Sequence, residues 1–599
     1  MTTATLEEKA DSIRWDLSEL YKGHDDPAIE ADIRSLAERV ERFKKNRGAV
    51  AGATPQALRA ILEDYEGLSA ELSRLAAFSE LLASTDQKDE KRAALRDTIQ
   101  DKASRWAADL VFFDLEWKRL PEEKAAKLLA ASEIAPYKHW LTRARTLARY
   151  TLSEPEERVI VKKNVAGRDA LVQFRDEFEA KCDFSATIGG KALKTQSELL
   201  NVLRSSRDPA QREQAADKVF SVYRQHDHVF HFLYKNIVRD HAISCELRGF
   251  EHPIDVENVP NEVPRVVVDA LVQSTRKHLP LAHEYYRWKG KALGLPRMRT
   301  CDRLAPVGKS EPHQVSWREA RSMVERSMER FDSDFARMGR ELFDRKHIDA
   351  PAVEGKRSGG FCYPVPEADP WILVNFTDDV DSTFTVAHEV GHGVHFMLSR
   401  RKQRLLQAYE MSKVLAETAS EFNESLLLDQ LLAESKDDAL KIDVLTHACD
   451  GFLGTVNRQV CFTEFELAAH EEARERALTL EFCKERWKSL CEAYYGPHVD
   501  LMKDEPWGYA YVGHFFFNPF YCLSYALSQV AVLALYGSWK KQGSGFVPGY
   551  RALLEGGGSG TPVDLLLKAG VDLRDPSNLD RAFETFRERF DALKKLVPV

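Results

Sequence analysis

The sequence predicts a mainly α-helical protein that contains one small antiparallel sheet. Long stretches carry apolar residues at the three- and four-residue spacing of helices, and few glycines or prolines interrupt them. Residues 358–366 and 370–376 are instead rich in β-forming residues and are separated by a turn with proline and aspartate, which indicates an antiparallel pair. Gly189-Gly190, between two short runs, indicates a separate hairpin.

The chain also predicts long helices with solvated outer faces and more than one core. Apolar periodicity marks helices at 28–46, 55–84, 87–118, 121–148 and, further along, 316–345. A chain of 599 residues exceeds one ordinary hydrophobic core, so we expect two or more subdomains. The polar, turn-prone segment 205–209 precedes a new helical series. We therefore predict a helical N-terminal domain over 1–200 and a second domain over 201–599.

Composition restricts the class of protein and its partners. Hydrophobic residues make up 44% and charged residues 30% of the chain, which is typical of a soluble globular protein. The net charge of −9 and the lack of a long basic block argue against a nucleic-acid partner. No apolar run approaches the roughly 20 residues of a membrane span, and residues 530–536 are far too short for one. Residues 1–9 lack the layout of a secretory signal, so we expect a cytoplasmic protein without a membrane partner.

The cysteines predict reduced thiols in a cytoplasm. There are nine, an odd number, and no two are spaced C-x-x-C. This pattern argues against a disulfide framework and against a thiolate zinc site. Cys362 lies near the motif described next, but core filling is the better interpretation of it.

The chain is organised around His388-Glu389-Val390-Gly391-His392. Histidines four positions apart on a helix lie about 40° from each other around its axis, so both imidazoles can bind one metal ion. Glu389 lies about 100° from His388 and about 60° from His392, where a base can take a proton from water beside the metal. Gly391 weakens the helix, so a close approach of another segment is expected there.

Chance is the alternative explanation of this motif. A chain with 18 histidines shows it by accident on the order of one time in twenty. The context favours function, because an apolar helical run follows three N-cap candidates, Asp381, Ser382 and Thr383. The helix is predicted to end at about Leu398, before the basic run 400–402.

A third metal ligand is expected on a second helix, predicted from Met411 to about Leu432. Glu417, Glu421 and Glu424 share one broad face of that helix. Such a trio is most often a solvated acidic face. Apolar flanks and the preceding motif make Glu417 the preferred ligand. The other histidine cluster, at 226–231, matches no metal motif and predicts partly buried imidazoles.

The motif at 388–392 followed by Leu415-Ala416-Glu417-Thr418-Ala419-Ser420-Glu421-Phe422-Asn423-Glu424 resembles the M3 metallopeptidases. The branch it is most similar to is the oligoendopeptidase F type, with thimet oligopeptidase more distant. The resemblance implies one Zn²⁺ per chain, held by His388, His392 and Glu417, with Glu389 as general base. It also implies a zincin-like core with a small antiparallel sheet, embedded in a two-part helical clam that encloses a channel. Residues 1–200 would then be the oligoendopeptidase F-like N-terminal domain and 201–599 the catalytic domain.

The aromatic stretch 509–525 is the second informative region. A histidine among so many aromatic residues is most often a buried core residue. The resemblance instead implies that His514, with Tyr521 or Tyr525, donates hydrogen bonds to the oxyanion of the tetrahedral intermediate. Leu523 occupies a position where another tyrosine is expected, so the choice between Tyr525, which is preferred, and Tyr521 stays open.

The resemblance implies two further features of the site. Glu424, in preference to Glu421, would orient a ligand histidine. A strand beside the metal helix would pair with the extended substrate backbone, because an exposed edge binds a peptide with little regard for its side chains. A plain core hairpin is the alternative for that strand. His395 shares the ligand face but is expected to be a supporting or core residue.

The function expected from these features is zinc-dependent endopeptidase action on short unfolded peptides. A carboxypeptidase or dipeptidyl carboxypeptidase with the same zinc site is one alternative, although no basic residue that would capture the substrate carboxylate was identified. A non-catalytic helical scaffold that retains the metal is the other. The sequence leaves the oligomeric state open.

Overall fold

The computed structural model describes residues 10–308 and 313–599, and these are mainly helical. Residues 1–9, on which the expectation about a secretory signal rests, and residues 309–312 lie outside the described residues. The chain forms two compact units, each built from three separate segments. The first unit comprises Met1–Ala148, Glu311–Glu434 and Ser538–Val571, and the second comprises Arg149–Ser310, Ser435–Gly537 and Asp572–Val599.

The first half of the chain supplies helices α1 to α13. Their bounds are α1 Pro27–Phe43, α2 Pro55–Ser84, α3 Glu90–Arg119, α4 Glu122–Leu129, α5 Lys138–Ala148, α6 Glu154–Ala166, α7 Arg168–Lys181, α8 Gln196–Ser205, α9 Pro209–Gln225, α10 Asp227–Arg248, α11 Asp255–Asn258, α12 Arg265–Lys277 and α13 Leu279–Ala292.

The second half supplies α14 to α27. Their bounds are α14 Trp317–Phe331, α15 Ser333–Asp344, α16 Val380–Lys402, α17 Leu405–Ala408, α18 Lys413–Ala416, α19 Ser420–Glu434, α20 Asp438–Phe452, α21 Arg458–Glu475, α22 Leu480–Tyr495, α23 His514–Phe517, α24 Cys522–Gln542, α25 Val547–Leu554, α26 Pro562–Lys568 and α27 Pro576–Leu596.

Two of the predicted long helices are divided. The helix predicted at 121–148 is split into α4 and α5 by a 3₁₀ segment that contains Pro136, since proline has no backbone N–H for a helix interior. The helix predicted at 316–345 is split into α14 and α15 at Asp332, whose side chain accepts hydrogen bonds from two backbone amides and starts α15. The helices predicted at 28–46, 55–84 and 87–118 are confirmed by α1, α2 and α3 within a few residues.

The strands form three small sheets among the described residues. β1 (Ala186–Ile188) and β2 (Lys191–Leu193) make the predicted hairpin, in which Gly189 and Gly190 both have positive φ. β3 (Met298–Arg299) pairs in parallel with β7 (Val499–Asp500). β4 (Ile348–Pro351), β5 (Phe361–Tyr363) and β6 (Trp371–Phe376) form a sheet of order β4-β6-β5.

The three-stranded sheet confirms the antiparallel pair and adds a strand that the sequence did not predict. β5 is antiparallel to β6, as expected, whereas β4 lies parallel to β6 on its other side. β4 is only four residues long and contains an aspartate and a proline, so it carries no strand pattern. A buried lysine links the two strands, because Lys356 Nζ donates to Asp349 Oδ1 at 2.6 Å and to the Val374 carbonyl at 2.7 Å.

The core of the first unit joins the N-terminal helices to this sheet. Trp371 at the start of β6 is fully buried in a cluster with side chains of α1 to α3. Its Nε1 donates to the backbone carbonyl of Asp16 at 3.0 Å. Burial of such large aromatic side chains supplies much of the stability of a helical unit.

Helix α16 begins two to four residues earlier and ends four residues later than predicted. Its N-cap is Asp379, whose carboxylate accepts the Ser382 amide at 2.7 Å, so the predicted caps Asp381, Ser382 and Thr383 all lie inside the helix. The C-terminal end is at Lys402 rather than Leu398. Basic residues in the last turn are favourable there because of the negative end of the helix dipole.

The prediction of a single helix from Met411 to Leu432 is wrong. Residues 417–419 form a turn between α18 and α19. The cause is a crossing at Gly391 of α16, where a Cβ atom would lie 2.6 Å from the Ala419 carbonyl oxygen and 2.7 Å from the Ser420 Cα. The close approach expected at this glycine is therefore confirmed. The turn is held by Tyr550 Oη, which donates to the Thr418 carbonyl at 2.8 Å.

In the second unit, aromatic side chains from several helices form a continuous core. Phe465 of α21 packs against Trp487 of α22, with ring centroids 5.3 Å apart, and against Phe515, at 5.4 Å. Tyr234 of α10 stacks on Phe465 at 5.9 Å. Phe515, the residue after His514, belongs to this core.

One helical stretch among the described residues, Cys522–Leu554, is long and apolar enough to cross a membrane, and 78% of its most apolar window is buried within the protein. This stretch is longer than the apolar run at 530–536, because α24 continues through a 3₁₀ segment into α25.

The crossing at Gly391 predicts an unequal effect of two Gly→Ala substitutions. Gly391→Ala should lower the free energy of unfolding by about 1–3 kcal/mol, because the new methyl group meets backbone atoms that cannot rotate away. Gly451→Ala is the matched control, since no atom lies within 4 Å of a Cβ there, and it should be neutral or stabilising by up to about 1 kcal/mol. Urea unfolding followed by circular dichroism measures both. Equal stability of the two variants would contradict the crossing.

Candidate metal centre

The structure brings three potential ligand atoms together in the first unit. His388 Nε2 lies 3.2 Å from His392 Nε2, and Glu417 Oε2 lies 3.3 Å from each of these nitrogens. Within the part of the chain that the structure describes, these three residues form the one group of His, Cys, Asp or Glu side chains that could hold a metal ion.

The distances and the chemistry of this group fit a zinc ion. Ligands about 2.0 Å from a tetrahedral ion lie about 3.3 Å apart, which is the spacing of the three atoms. Two imidazoles and one carboxylate are a set that catalytic zinc sites use, with the fourth position left for water or substrate. The three side chains keep 25%, 16% and 34% of their surface exposed, so a small molecule can reach them.

Glu424 of α19 contacts His388, the first of the candidate ligands. The Nδ1 atom of His388 lies 2.6 Å from Glu424 Oε1. The carboxylate therefore accepts the Nδ1 proton of the ring, which leaves Nε2 as the atom that would face a cation. This is the role for which Glu424 was preferred over Glu421. Glu421 is instead enclosed, and burial followed by the charges of Glu424 and Glu417 raises its pKa well above the usual value.

Hydrogen bonds shift the pKa values of two candidate ligands, Glu417 and His388. Burial opposes ionisation of Glu417, but contacts with His388 and His392 outweigh it and lower the pKa of this carboxyl below its usual range. Burial likewise opposes protonation of His388, yet its contacts with Glu417 and Glu424 raise its pKa. Ser420 Oγ also donates to Glu417 Oε2, at 2.7 Å. The negative carboxylate of Glu417 is thus held beside the Nε2 atoms of His388 and His392.

Glu389 lies beside the ligands without joining them. It is 6% exposed, and its Oε2 atom has no hydrogen-bond partner among the described residues. Burial raises its pKa, the histidines oppose the rise, and the charges of Glu417 and Glu424 add to it. A carboxylate with a raised pKa accepts a proton more readily than an ordinary one, as a general base requires.

Gly360 explains how Glu389 fits beside β5. A Cβ atom on Gly360 would lie 2.9 Å from Glu389 Oε1, so the backbone passes directly over the carboxylate. Cys362 is the other residue near Glu389; burial raises the pKa of its thiol well above the usual value, and the charge of Glu389 adds to this. His395 is buried, and burial together with His392 lowers its pKa to about 3, which agrees with a core residue.

His514, Tyr521 and Tyr525 lie together in the second unit. The ring centroid of His514 is 5.6 Å from Tyr521 and 5.8 Å from Tyr525, and the tyrosine rings are 5.1 Å apart. Tyr525 is 38% exposed, whereas Leu523 is buried. Burial lowers the pKa of His514, so its ring is neutral over a wider pH range. The three polar rings thus form one cluster with exposed surface.

The sequence did not single out Ser420 or Gly360. Ser420 follows the turn at 417–419, which helical periodicity does not reveal, although Ser is a common residue where a helix begins. Gly360 belongs to a Gly-Gly pair in a strand region, a pattern that is typical of a close backbone approach. That pattern was a signal that could have placed Gly360 next to another group.

Comparison with known proteins gives the family. The model of peptidase family M3 matches residues 202–585, and a second model, Oligopeptidase F, matches 116–184. The oligoendopeptidase F homolog of Lactococcus lactis is 25% identical, covering 98% of each chain. Oligopeptidase PepF of Bacillus subtilis is 26% identical, over 97% of this chain and 87% of that protein.

Solved structures share the fold. The oligoendopeptidase-F of Enterococcus faecium superposes with a TM-score of 0.69 at 22% identity, over 95% of this chain and 98% of that one. A peptidase structure from Chlamydophila abortus gives 0.88 at 23% identity, over 99% and 100%. The family model covers more than half of the sequence and the relatives align over nearly all of it. The chain therefore belongs to peptidase family M3, in its oligoendopeptidase F branch, and is a metallo-oligopeptidase.

Proposed function

We propose that this protein is a zinc-dependent endopeptidase that hydrolyses internal peptide bonds of short unfolded peptides. The observation that carries the proposal is the convergence of His388 Nε2, His392 Nε2 and Glu417 Oε2 to within 3.3 Å of one another. Membership of the family supports peptide-bond hydrolysis, and the donor set supports zinc as the metal.

One Zn²⁺ per chain would be held by His388, His392 and Glu417. When bound there, the ion supplies a water of lowered pKa and polarises the scissile carbonyl. Glu424 keeps the tautomer of His388 that can bind it, through the 2.6 Å contact with Nδ1.

Glu389 is the proposed general base. It takes a proton from the attacking water as the tetrahedral intermediate forms and passes that proton to the departing amine. Its position one residue after His388 on α16 and its raised pKa support both transfers. The backbone at Gly360 restricts the carboxylate to a narrow space and so limits the positions from which it can act.

His514 with Tyr525, or with Tyr521, is proposed to donate hydrogen bonds to the oxyanion. A neutral histidine and a tyrosine are suitable donors, and such donors act on charge that develops only in the transition state. Tyr525 remains our first choice, since its side chain is 38% exposed and can reach a bound molecule.

The outer edge of β5 is the proposed binding strand for the peptide. β5 pairs with β6 on one side, and its other edge is not paired with a described strand. An extended peptide can add to such an edge through main-chain hydrogen bonds, which require no particular side chains. This mode of binding agrees with an oligopeptidase that accepts many sequences.

The proposed domain division and partners follow the sequence expectation. The N-terminal domain is assigned to 1–200 and the catalytic domain to 201–599, and the two family models on either side of residue 200 support this assignment. This division along the sequence differs from the two compact units, each of which contains residues from both sides of position 200. We propose short peptides as partners and a cytoplasmic location, with no nucleic-acid or membrane partner, in keeping with the net charge of −9.

Glu389→Gln tests the base directly. The substrate is an internally quenched peptide with both ends blocked, which the wild-type protein should cleave and an exopeptidase would not. The variant should lose on the order of 10²–10⁴-fold in kcat, because the amide cannot accept the proton. Its zinc content should equal that of the wild type, since Glu389 is not a ligand.

Glu434→Gln is the matched control for this substitution. It makes the same change on the partly exposed surface of α19 and should leave kcat unchanged. Wild-type turnover by Glu389→Gln in a preparation free of other peptidases would exclude the mechanism. Cleavage only of peptides with a free end would exclude the endopeptidase assignment.

Glu424→Gln tests the orientation of His388. The variant should bind Zn²⁺ about 10–100-fold more weakly, because a neutral amide holds the Nδ1 proton less firmly than a carboxylate. Competition with a fluorescent chelator measures the affinity, and Glu434→Gln again serves as control. An unchanged zinc affinity would show that the 2.6 Å contact does not support the metal site.

A further inference from the structure

A buried polar cluster in the second unit surrounds the residue that precedes Tyr521. Glu466 and His470 of α21 are each 1% exposed, and His241 of α10 is 9% exposed. They enclose Phe520, which is fully buried. A buried carboxyl and two buried imidazoles are costly in a protein interior, so their arrangement requires an explanation.

Phe520 has a backbone conformation that its side chain disfavours. Its φ is +66°, in the left-handed region, where a non-glycine residue is strained and persists only if its surroundings enforce it. Pro519 precedes Phe520, and α24 begins two residues after it, at Cys522. The chain therefore turns at Phe520 just before it enters this helix.

Two contacts enforce that conformation. The Phe520 backbone N–H donates to Glu466 Oε1 at 2.8 Å. The ring packs against both imidazoles, with centroid distances of 4.8 Å to His470 and 5.7 Å to His241. Without the Glu466 oxygen, the buried Phe520 amide would lose its hydrogen-bond acceptor, which is unfavourable in a protein interior.

The turn at Phe520 determines where the tyrosines lie. Phe520 is directed into the core, while its neighbour Tyr521 is partly exposed and Tyr525 is 38% exposed. The Leu523 backbone N–H donates to the Phe520 carbonyl at 3.2 Å, so the first turn of α24 continues directly from the turn at Phe520. A change in the φ of Phe520 would therefore redirect Tyr521 and rotate the start of the helix that carries Tyr525.

We propose that Glu466 is a positioning residue for peptide hydrolysis: by holding the Phe520 amide in a left-handed turn, it fixes the orientation of Tyr521 and Tyr525. This inference rests on the proposed role of those tyrosines in stabilising the oxyanion. Glu466 itself is enclosed in the core and acts only through the turn.

The chemistry of Glu466 suggests a conservative replacement. Burial raises the pKa of its carboxyl to about 8, the Phe520 amide opposes the rise, and the charge of Glu257 adds to it. The group is thus mainly neutral at pH 7. Glutamine keeps an uncharged side chain of the same length with a carbonyl acceptor at the same place, whereas leucine keeps the bulk and removes the acceptor.

The test compares Glu466→Leu with Glu466→Gln in the full-length zinc-loaded protein, using the blocked peptide. Glu466→Leu should lower kcat about tenfold and leave KM within twofold, because oxyanion contacts act in the transition state and not on bound substrate. Glu466→Gln should retain at least a third of the wild-type kcat. This rescue shows whether the hydrogen-bond acceptor, and not the acidic group as such, is what kcat requires.

Glu464→Leu is the control for general destabilisation. Glu464 is also buried on α21, but its carboxylate bonds Arg276 and Tyr494 and not the turn. It should lower the melting temperature without changing kcat below that temperature. If Glu466→Leu does not fold, Phe520→Leu takes its place, since it removes the ring contacts that hold the same turn.

A double-mutant cycle separates this inference from the proposed function. Glu466→Leu should lower kcat less than twofold in a background that already carries Tyr521→Phe and Tyr525→Phe, since the groups it positions are absent. A full tenfold loss in that background, or an equal loss in Glu464→Leu, would overturn the inference. If the tyrosine double variant itself keeps wild-type kcat, the proposed oxyanion role fails, and the inference fails with it.

Discussion

The close crossing of two backbone segments at Gly391 is the constraint on which the candidate metal centre depends. Because no side chain stands between them, the turn at 417–419 lies against α16 one residue before His392, with only 2.6 Å between an imagined Cβ and the Ala419 oxygen. The contact breaks what would otherwise be a continuous helix. At this turn the Glu417 carboxylate lies 3.3 Å from both imidazole nitrogens.

Neighbouring carboxyl groups in this site differ in their pKa values because their surroundings differ. Glu417 is kept negative by two histidines, and Glu424 holds the outer nitrogen of His388, whereas enclosure by protein raises the pKa of Glu389. In the proposed mechanism, one metal ligand, one orienting group and one proton acceptor thus come from the same residue type within 36 positions of the sequence. The second unit uses burial in a related way, since the enclosed Glu466 accepts a backbone amide at the turn that carries the tyrosines.

Much of the candidate site could be predicted because its residues follow a short, regular spacing along the sequence. The four-residue interval between His388 and His392 is a property of the helix, and the acidic run after Leu415 pointed to Glu417. The break after Ala416 and the N-cap at Asp379 could not be read in this way. Periodicity reports which face a residue occupies, whereas the break results from a tertiary contact with Gly391, more than 25 positions earlier. β4 was missed for a similar reason, since its pairing with β6 and the buried Lys356 stabilise it, not its own sequence.

The most direct test of this account is an anomalous diffraction measurement at the zinc absorption edge on crystals of the protein grown with Zn²⁺. The account predicts one strong peak per chain, about 2.0–2.2 Å from His388 Nε2, His392 Nε2 and a carboxylate oxygen of Glu417, with Glu389 near the ion but not bound to it. A peak held by other residues, or a Glu417 carboxylate turned away from the two imidazoles, would contradict it.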